Sequence, residues 1–531
     1  MKNIIKQITY FVILLLILSS CIDRLNITKH GNIANQEDYY TTDTEVEGAV
    51  ASLYLSWKAH YKNFYYLVNL LSDDTWAAGG ARGDNRHMEQ INEYNYDSNN
   101  SFIKDVFTDL YGIIYNANLI IDHVELNSNV KKRAVAEAKF FRAYAYFHLV
   151  TMWGPVAKVD HVLNVSEYHQ LNSTVEELWI FIENDLKDAI TLNALPSKKN
   201  ILDKETGMRV TNEVAKAYLG KSYLFQKKYQ EAANILDEII ESRLYGLYGI
   251  AEEGEYEDLL HVPANNSCES MLECQMRNDV DQAWNQQVDI YCALGWRSSA
   301  FDYKNEAIAT GSWGFMSPQR SLYDAFVEME GTNGYRLMSS LRTREQLENS
   351  DIIFKYTSLP GNEGIFSWKY RLLKSDLINE NAGFQVFQYI NLHVMRYAEV
   401  LLLAAEAHVM NGGNQVKVEQ YLNEVRTRAH LVSKSNVTLD DIKKEKRLEF
   451  CMESCRYQDL VRWGDSETVL KNQGQYIPSF TYKLVEGTGH EIIDSKAYTN
   501  TGFGFQAKHK LLPIPATEIQ VNPNMKQNPG W

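Results

Sequence analysis

The spacing of apolar residues along this chain predicts long helices through most of its first half. From Thr44 to Leu71, apolar and aromatic residues recur every three or four positions, which is the spacing of one helical face. The same spacing predicts helices around 101–126 and 130–152. The last of these alternates small with large residues, so a neighbouring helix can approach closely, and Gly154-Pro155 ends it.

A helical repeat is clearest at 215–240, where seven residues fall on the spacing of a tetratricopeptide repeat: Leu219, Gly220, Tyr223, Tyr229, Ala232, Leu236 and Ile239. In such a repeat a small residue lets two antiparallel helices touch. The pair cannot bury its own apolar face, so other helices must stack on it. The candidate neighbours are the segments 134–150, 174–191, 394–410 and 416–430.

Residues 241–390 have a different pattern, with short β-like runs and clusters of glycine and asparagine. Helices resume at 392–430 and 438–463, and a tail rich in proline, asparagine and glutamine closes the chain. The fold class predicted is mostly α, with tetratricopeptide-like helix pairs and a loop-rich, partly irregular second half. We expect an N-terminal helical part at 41–240 and a C-terminal part with binding loops at 241–531.

The first residues predict an export signal, because two lysines precede an apolar run from Ile8 to Leu18. About eleven residues at roughly 1.5 Å each fall short of the roughly 30 Å bilayer core. Leu18-Ser19-Ser20-Cys21 resembles the bacterial lipobox. We therefore predict a signal peptide at 1–20, lipidation of Cys21 and a tether at 21–40. The alternative is an ordinary signal peptide that ends near a cysteine.

Composition narrows the possible partners. The formal charge of −15 repels polyphosphate, which argues against nucleic acid. With 531 residues, 45% of them hydrophobic, the chain can bury a large core. It also carries 33 tyrosines and 10 tryptophans, a surplus that suits a protein whose rings pack against sugar faces while their polar tips stay hydrogen-bonded.

Cysteine and histidine give little sign of a reactive site. The five cysteines after Cys21 are an odd, sparse set, which is not a disulfide framework. Cys451 and Cys455 lie four positions apart on a predicted helix, but no further zinc ligands are near, so buried thiols are expected in place of a metal site. His148 lies on an apolar helical face and is expected to be a core residue.

Four ordered blocks of sequence resemble the SusD/RagB-like family. Residues 445–464, EKRLEFCMESCRYQDLVRWG, are similar to that family's signature helix of the form ERRLELAFEGHRFxDLxRWG. Residues 512–531 resemble its C-terminal PIP…E…NPN…QNPGY close, and 138–155 resemble its RAY-type helix with a WGxVP exit. The fourth block is 396–426. Cys451 and Cys455 depart from the signature, and Tyr335-Arg336 only loosely matches the expected Asp-Arg pair.

The resemblance implies a helical fold with a shallow surface site for oligosaccharide. It also implies lipid anchoring in the outer membrane, facing the cell surface, and a role as a lid over a SusC-like TonB-dependent transporter. Charged residues of the blocks are expected to pair within the scaffold and not to bind substrate; these are Arg447, Glu449, Arg456, Asp459 and Arg462. No cofactor is implied.

Because the family's sugar-binding loops vary, the candidate ligand-binding residues are chosen on physical grounds. Trp76 and Arg82 lie in or beside the glycine-rich loop after the first long helix, and Tyr291, Trp296 and Trp313 lie in the glycine-containing stretch 284–316. Trp57 and Trp153 are expected in the core.

Three functions remain open at this point. The first is a glycan-binding subunit that is not an enzyme. The second is a tetratricopeptide scaffold that binds peptides or assembles protein complexes. The third is a surface glycosidase, which needs two carboxylates about 5–5.5 or 6.5–9.5 Å apart, whereas the only acidic pair that stands out is Asp73-Asp74.

Overall fold

The computed structural model describes residues 39–280, 289–355, 357–378, 388–485, 488–497 and 504–531. Helices account for most of the first half, as predicted. In chain order they are α1 (Asp43–Leu70), α2 (Arg86–Asn92), α3 (Ser101–His123), α4 (Asn129–Trp153), α5 (Val175–Thr191), α6 (Asn212–Phe225) and α7 (Tyr229–Ser242).

Polar side chains fix the starts of the long helices. Thr42 caps α1 through a capping box with Glu45, and Asn100 and Ser128 cap α3 and α4. At the far end of α4, Gly154 adopts a φ of 71°, a left-handed conformation that favours glycine. The predicted boundaries of these three helices are therefore confirmed to within a few residues.

The repeat predicted at 215–240 is the antiparallel pair α6 and α7. Gly220 faces Leu236, and a Cβ placed on Gly220 would lie 2.7 Å from the Leu236 Cγ atom. Only a residue without a side chain allows this close approach, which confirms the predicted role of the glycine.

The helices of the second half include two that extend the repeat. They are α8 (Ile290–Leu294), α9 (Arg320–Glu330), α10 (Tyr335–Ser340), α11 (Arg344–Glu348), α12 (Tyr397–Met410), α13 (Gln415–Arg428), α14 (Leu439–Glu449), α15 (Arg456–Trp463), α16 (Ser466–Val469) and α17 (Ala516–Val521). Helices α4, α5, α6 and α7 pack in succession, and α12 then packs on α7 and α13 on α12. The predicted stacking neighbours are thus in contact.

Short antiparallel strands occupy the loop-rich part. They are β1 (Thr75–Ala77), β2 (Ser270–Cys274), β3 (Phe301–Tyr303), β4 (Met316–Pro318), β5 (Leu341–Thr343), β6 (Ile352–Phe354), β7 (Ser358–Pro360), β8 (Ile365–Ser367), β9 (Leu392–Arg396), β10 (Tyr476–Val485) and β11 (Thr488–Ala497). The pairs are β1–β4, β2–β9, β3–β6 and β5–β8, and β10 lies between β11 and β7.

Two predicted helical boundaries are wrong. Residues 392–396 form β9 and not the start of a helix, because they pair with β2. The signature segment is two helices, α14 and α15, separated by a turn in which Met452 and Ser454 have φ angles of 61° and 63°. The turn carries Glu453 inward to Arg396, so Cys451 and Cys455 do not share one helical face.

One large hydrophobic core joins the helical first half to α12, α14 and the C-terminal tail. Trp57 and Trp153 lie in it, as expected, and Trp153 Nε1 donates to the Pro513 carbonyl at 3.0 Å. His148 is also buried, and burial holds its pKa well below the ordinary histidine value. The cysteines after Cys21 are free thiols, four of them buried and Cys455 half-buried. Cys21 itself lies outside the described residues.

Within the described ranges, the structure contains no helix that combines the length and the apolar character needed to span a bilayer.

Candidate functional site

Two of the loops singled out in the sequence meet beside the β1–β4 pair. Trp76 lies opposite Ser317 in the antiparallel register, and the Ala78 amide donates to the Phe315 carbonyl at 2.8 Å. The glycine-rich loop 78–85 therefore runs alongside residues 313–315. The sequence separates these segments by more than 200 positions, and the strand pairing brings them together.

Half-buried aromatic rings line this junction. Trp76 and Trp313 are both half-buried, and so is Phe315, whose ring centroid lies 5.7 Å from that of Trp313 at an interplanar angle of 56°. Trp76 is oriented by its indole N–H, which donates to Glu363 Oε2 at 2.8 Å. The same carboxylate oxygen accepts the Arg320 amide at 2.7 Å, so the ring has a fixed support.

Arg82 anchors the glycine-rich loop to helix α2. Its guanidinium forms an ion pair with Glu93 and lies 3.5 Å from Glu89, while the side chain keeps 35% of its surface exposed. Burial raises the pKa of Glu93 to about 7, although the Arg82 charge lowers it. Arg82 thus ties the loop that follows β1 to α2, and about one-third of its side chain is exposed to solvent.

Arg297 ties the two loops together. Its Nη1 atom lies 3.4 Å from Asp84 Oδ2 and donates to the Trp313 carbonyl at 3.3 Å. Asp84 in turn accepts the Gly80 amide at 2.8 Å. Gly80 packs directly on the guanidinium, since a Cβ there would lie 2.5 Å from Arg297 Nη2. These contacts fix the loop positions without covering the rings.

Two other candidates from the sequence lie elsewhere. Tyr291 is 3% exposed, donates its hydroxyl to the Leu260 carbonyl and packs in the main core. Trp296 is 5% exposed and stacks on Trp368 in a second hydrophobic cluster, with ring centroids 6.0 Å apart. The structure therefore brings the segments that carry Trp76, Arg82 and Trp313 side by side, and it buries Tyr291 and Trp296 in two hydrophobic clusters.

Four residues of this junction are not among the predicted ligand-binding residues: Asp84, Arg297, Phe315 and Glu363. Phe315 and Arg297 lie in the stretch 284–316, whose aromatic and glycine content is the local signal for both. Glu363 comes from a distant loop, and nothing local links it to Trp76.

The acidic pair Asp73-Asp74 is held by the signature helices. Arg447 contacts Asp74 at 2.9 Å and Asp73 at 3.0 Å, and Arg456 contacts Asp73 at 2.9 Å. Both carboxylates are thus paired within the scaffold. They do not face each other across a cleft.

The remaining signature charges also pair internally, as predicted. Arg462 contacts Asp459 at 2.8 Å and forms an ion pair with Glu406. Glu449, fully buried, pairs with Arg336 at 3.1 Å, Arg396 at 3.0 Å and Arg428. This network joins α10, α13 and α14 to β9, and so serves the fold.

Two family models match the chain. The model described as SusD family matches residues 268–531, and the model described as starch-binding associating with outer membrane matches residues 33–224.

Relatives match along nearly the whole chain. A SusD-like protein from Bacteroides ovatus is 24% identical, covering 97% of this chain and 96% of its own. The starch-binding protein SusD of Bacteroides thetaiotaomicron is 21% identical and covers 84% of this chain and 82% of its own. Among solved structures, a laminarin-binding SusD-like protein superposes with a TM-score of 0.75 at 28% identity, over 92% of this chain and 99% of that one. The two family models and these relatives show that the chain belongs to the SusD/RagB-like family.

Proposed function

We propose that this protein captures an oligosaccharide at the cell surface and passes it, uncleaved, to a SusC-like TonB-dependent transporter in the outer membrane. The observation that carries the proposal is the junction of Trp76, Trp313 and Phe315, whose half-buried rings stand on loops fixed by Glu363 and Arg297. Flat rings with apolar faces suit the C–H faces of pyranose sugars, and the fixed loops lower the entropy lost on binding.

Charged groups at the rim supply the polar part of such a site. The side chains of Arg82, Asp84 and Arg297 are each about one-third exposed, at 35%, 36% and 32%. Guanidinium and carboxylate groups can donate to and accept from sugar hydroxyls. The expected ligand is therefore a neutral or weakly charged oligosaccharide with at least two sugars stacked on the rings.

Laminarin is the first ligand to test, because the 28% identical solved relative is named for binding it. Anchoring through Cys21 and delivery to the transporter follow from the family resemblance and form the second half of the proposal. The carboxylates near the rings support binding without catalysis, since Glu363 accepts Trp76 and Arg320 donors and Asp84 accepts Gly80 and Arg297 donors.

The proposal is tested with native gels that contain laminarin or other soluble polysaccharides. The wild-type protein should be retarded by at least one polysaccharide. Trp76→Ala and Trp313→Ala should weaken binding by about thirtyfold, because removing a stacked anchor costs about 2 kcal/mol or more. Their melting temperatures should stay near the wild-type value, because neither ring is fully buried.

Tyr168→Ala is the matched control, since this tyrosine is 57% exposed in a segment whose neighbours His169 and Gln170 contact the C-terminal tail. It should bind like the wild type. If Trp76→Ala and Trp313→Ala both keep full affinity, the site is elsewhere. If no polysaccharide retards the wild type and peptides bind instead, the protein is a tetratricopeptide scaffold. New reducing ends after long incubation would show an enzyme.

A further inference from the structure

Trp368 carries two arginine side chains on its ring. The Arg342 Cζ atom lies 3.5 Å from the ring centroid and the Arg371 Cζ atom lies 4.9 Å from it. Trp296 stacks on the same indole at an interplanar angle of 15°. Attraction between a guanidinium and an aromatic ring stabilises each arginine, but it does not neutralise the two positive charges.

The hydrogen-bond acceptors around the two arginines are mostly neutral. Arg342 donates to the Ser350 hydroxyl and to the Met338 carbonyl at 3.4 Å. Arg371 donates to the carbonyls of Trp368 at 3.2 Å and Glu257 at 3.3 Å.

Carboxylates act on the pair without a close contact: the charges of Glu257, Asp258 and Asp376 act to raise the pKa of Arg371, and that of Glu257 acts to raise the pKa of Arg342. Glu257 Oε2 lies 4.0 Å from Arg371 and already accepts the Trp368 indole N–H at 3.1 Å. In the described part of the chain, no other carboxylate approaches either guanidinium to within the 4.0 Å limit of an ion pair.

Other buried arginines of this protein are paired at much shorter distances. Arg142 lies 2.7 Å from Asp185, Arg336 lies 2.8 Å from Glu330, and Arg428 lies 2.6 Å from Glu269. This is the general rule, because an unpaired buried charge loses its hydration without compensation. Arg371 departs from this rule, since it is 4% exposed and its nearest carboxylate oxygen is 4.0 Å away, and its neighbour Arg342 is half-buried.

The electrostatics of the pair agree with the geometry. Burial, together with the neighbouring Arg371 charge and against the opposing effect of Glu257, lowers the pKa of Arg342 to about 10. Burial also lowers the pKa of Arg371. A bound negative charge would reverse both effects.

We propose that Arg342 and Arg371, over Trp368, form a binding site for an oxyanion, either a sulfate or a carboxylate group. Planar guanidinium groups match the oxygens of such anions and bind them through two parallel hydrogen bonds. Arg342 is half-buried and the Glu257 side chain is 42% exposed, so solvent reaches the site from the Arg342 side, whereas the Arg371 side chain is only 5% exposed. The anion is either free in solution or a substituent of an acidic sugar.

This site does not depend on the proposed neutral-sugar site, and it is tested separately with inorganic sulfate. The melting temperature is measured against sodium sulfate at millimolar concentration, with sodium chloride at equal ionic strength as the reference. In the wild type, sulfate should give a saturable rise of roughly 1–3 °C. Arg342→Gln and Arg371→Gln should abolish the saturable part, because each removes one of the two charges.

Arg344→Gln is the matched control, since Arg344 lies two positions away but is paired with Glu348 and with Glu491 at 2.8 Å. It should keep the sulfate response. Because sulfate also stabilises folded proteins by salting-out, the melting temperature of every variant should show the same additional rise, which does not saturate with sulfate concentration. A variant that does not fold gives no information on the site. Equilibrium dialysis therefore also measures how much labelled sulfate the wild type binds, and we expect one sulfate per chain.

The affinities for glucose 6-sulfate and for glucuronate, each compared with the affinity for glucose, distinguish an acidic sugar from a free anion as the ligand. If glucose 6-sulfate or glucuronate binds more tightly than inorganic sulfate, the proposal is supported with an acidic sugar as the ligand. If the acidic sugars and sulfate bind equally tightly, the proposal is supported with a free anion as the ligand. Absence of saturable sulfate binding to the wild type, or its survival in Arg342→Gln, overturns the proposal.

Discussion

Single side chains in this protein are held either by opposite charges or by packing alone, and Arg396 belongs to the first group. It is 1% exposed and contacts Glu453 at 2.8 Å, Glu449 at 3.0 Å and Glu269. Removing it leaves three buried carboxylates with less compensation. The network is therefore a point where one substitution has a large effect on stability.

Arg396→Met should lower the free energy of unfolding by about 3–5 kcal/mol, the usual cost of breaking a buried ion pair from one side. Urea denaturation measures it. Lys216→Met is the control, because its partner Glu238 is 58% exposed and such surface pairs contribute less than about 1 kcal/mol. Similar losses in the two variants would contradict this account of the network.

His60 belongs to the second group. It is fully buried, and neither ring nitrogen has a hydrogen-bond partner among the described residues. Burial lowers the pKa of His60 to about 3. The folded state therefore keeps this ring neutral, whereas the unfolded chain binds a proton below about pH 6.5, so acid favours unfolding between these two values.

Between pH 6.5 and 3, the free energy of unfolding should fall less steeply with pH in His60→Phe than in the wild type. The difference in slope should be up to about 1.4 kcal/mol per pH unit. Denaturation curves at several pH values in this range compare the slopes. His161→Phe serves as the control, because His161 is exposed and its hydrogen bond to Asp160 raises its pKa. An unchanged slope in His60→Phe would show that His60 titrates normally in the folded protein.

At the scale of elements, the contact between α6 and α7 depends on one glycine. Gly220→Ala should destabilise the protein by about 1–3 kcal/mol, because the new Cβ would lie 2.7 Å from Leu236 and the pair must separate. Gly112→Ala in α3 is the matched control. Nothing lies within 4 Å of its Cβ position, so alanine there should stabilise the helix by up to about 1 kcal/mol. Thermal unfolding of both variants measures the two opposite effects, and equal signs would contradict the packing argument.

The bounds of some helices follow from the local sequence pattern, and those of others do not. Helix α1 begins and ends within one residue of its predicted bounds, because a cap and a long amphipathic run are local signals. By the same criteria, the sequence of the signature segment predicts a single helix over 438–463. It breaks at 450–455 because Glu453 must turn inward to Arg396, 57 positions earlier, and no local signal encodes that contact.

At the scale of the whole molecule, α12 continues the stack that α7 would otherwise end. The two helices are separated by more than 150 residues, which contain the loop of Trp313 and Phe315, while the glycine-rich loop 78–85 follows α1. The helical stack thus forms the rigid base on which those loops are mounted.

Cys21→Ala in the full-length protein should move it from the membrane fraction to the soluble fraction in cells without the partner transporter, because the acyl chains are then its only attachment. Cell fractionation measures this, and circular dichroism checks the fold. Cys455→Ala should stay in the membrane fraction, since Cys455 is a half-buried thiol of the globule. Membrane retention of Cys21→Ala would contradict lipid anchoring at this residue.

The sequence alone determined the helical class, the main helices, the repeat at Gly220 and the family, because these depend on spacing between residues close in the chain. It also indicated Trp76, Arg82, Tyr291, Trp296 and Trp313 as candidates, of which Tyr291 and Trp296 are buried. Only the tertiary structure decided which aromatic rings face solvent. Trp76 meets Glu363 across 287 positions, whereas Trp296 stacks on Trp368 and is buried. Burial of a ring depends on partners distant in sequence, and periodicity within one segment carries no information about them.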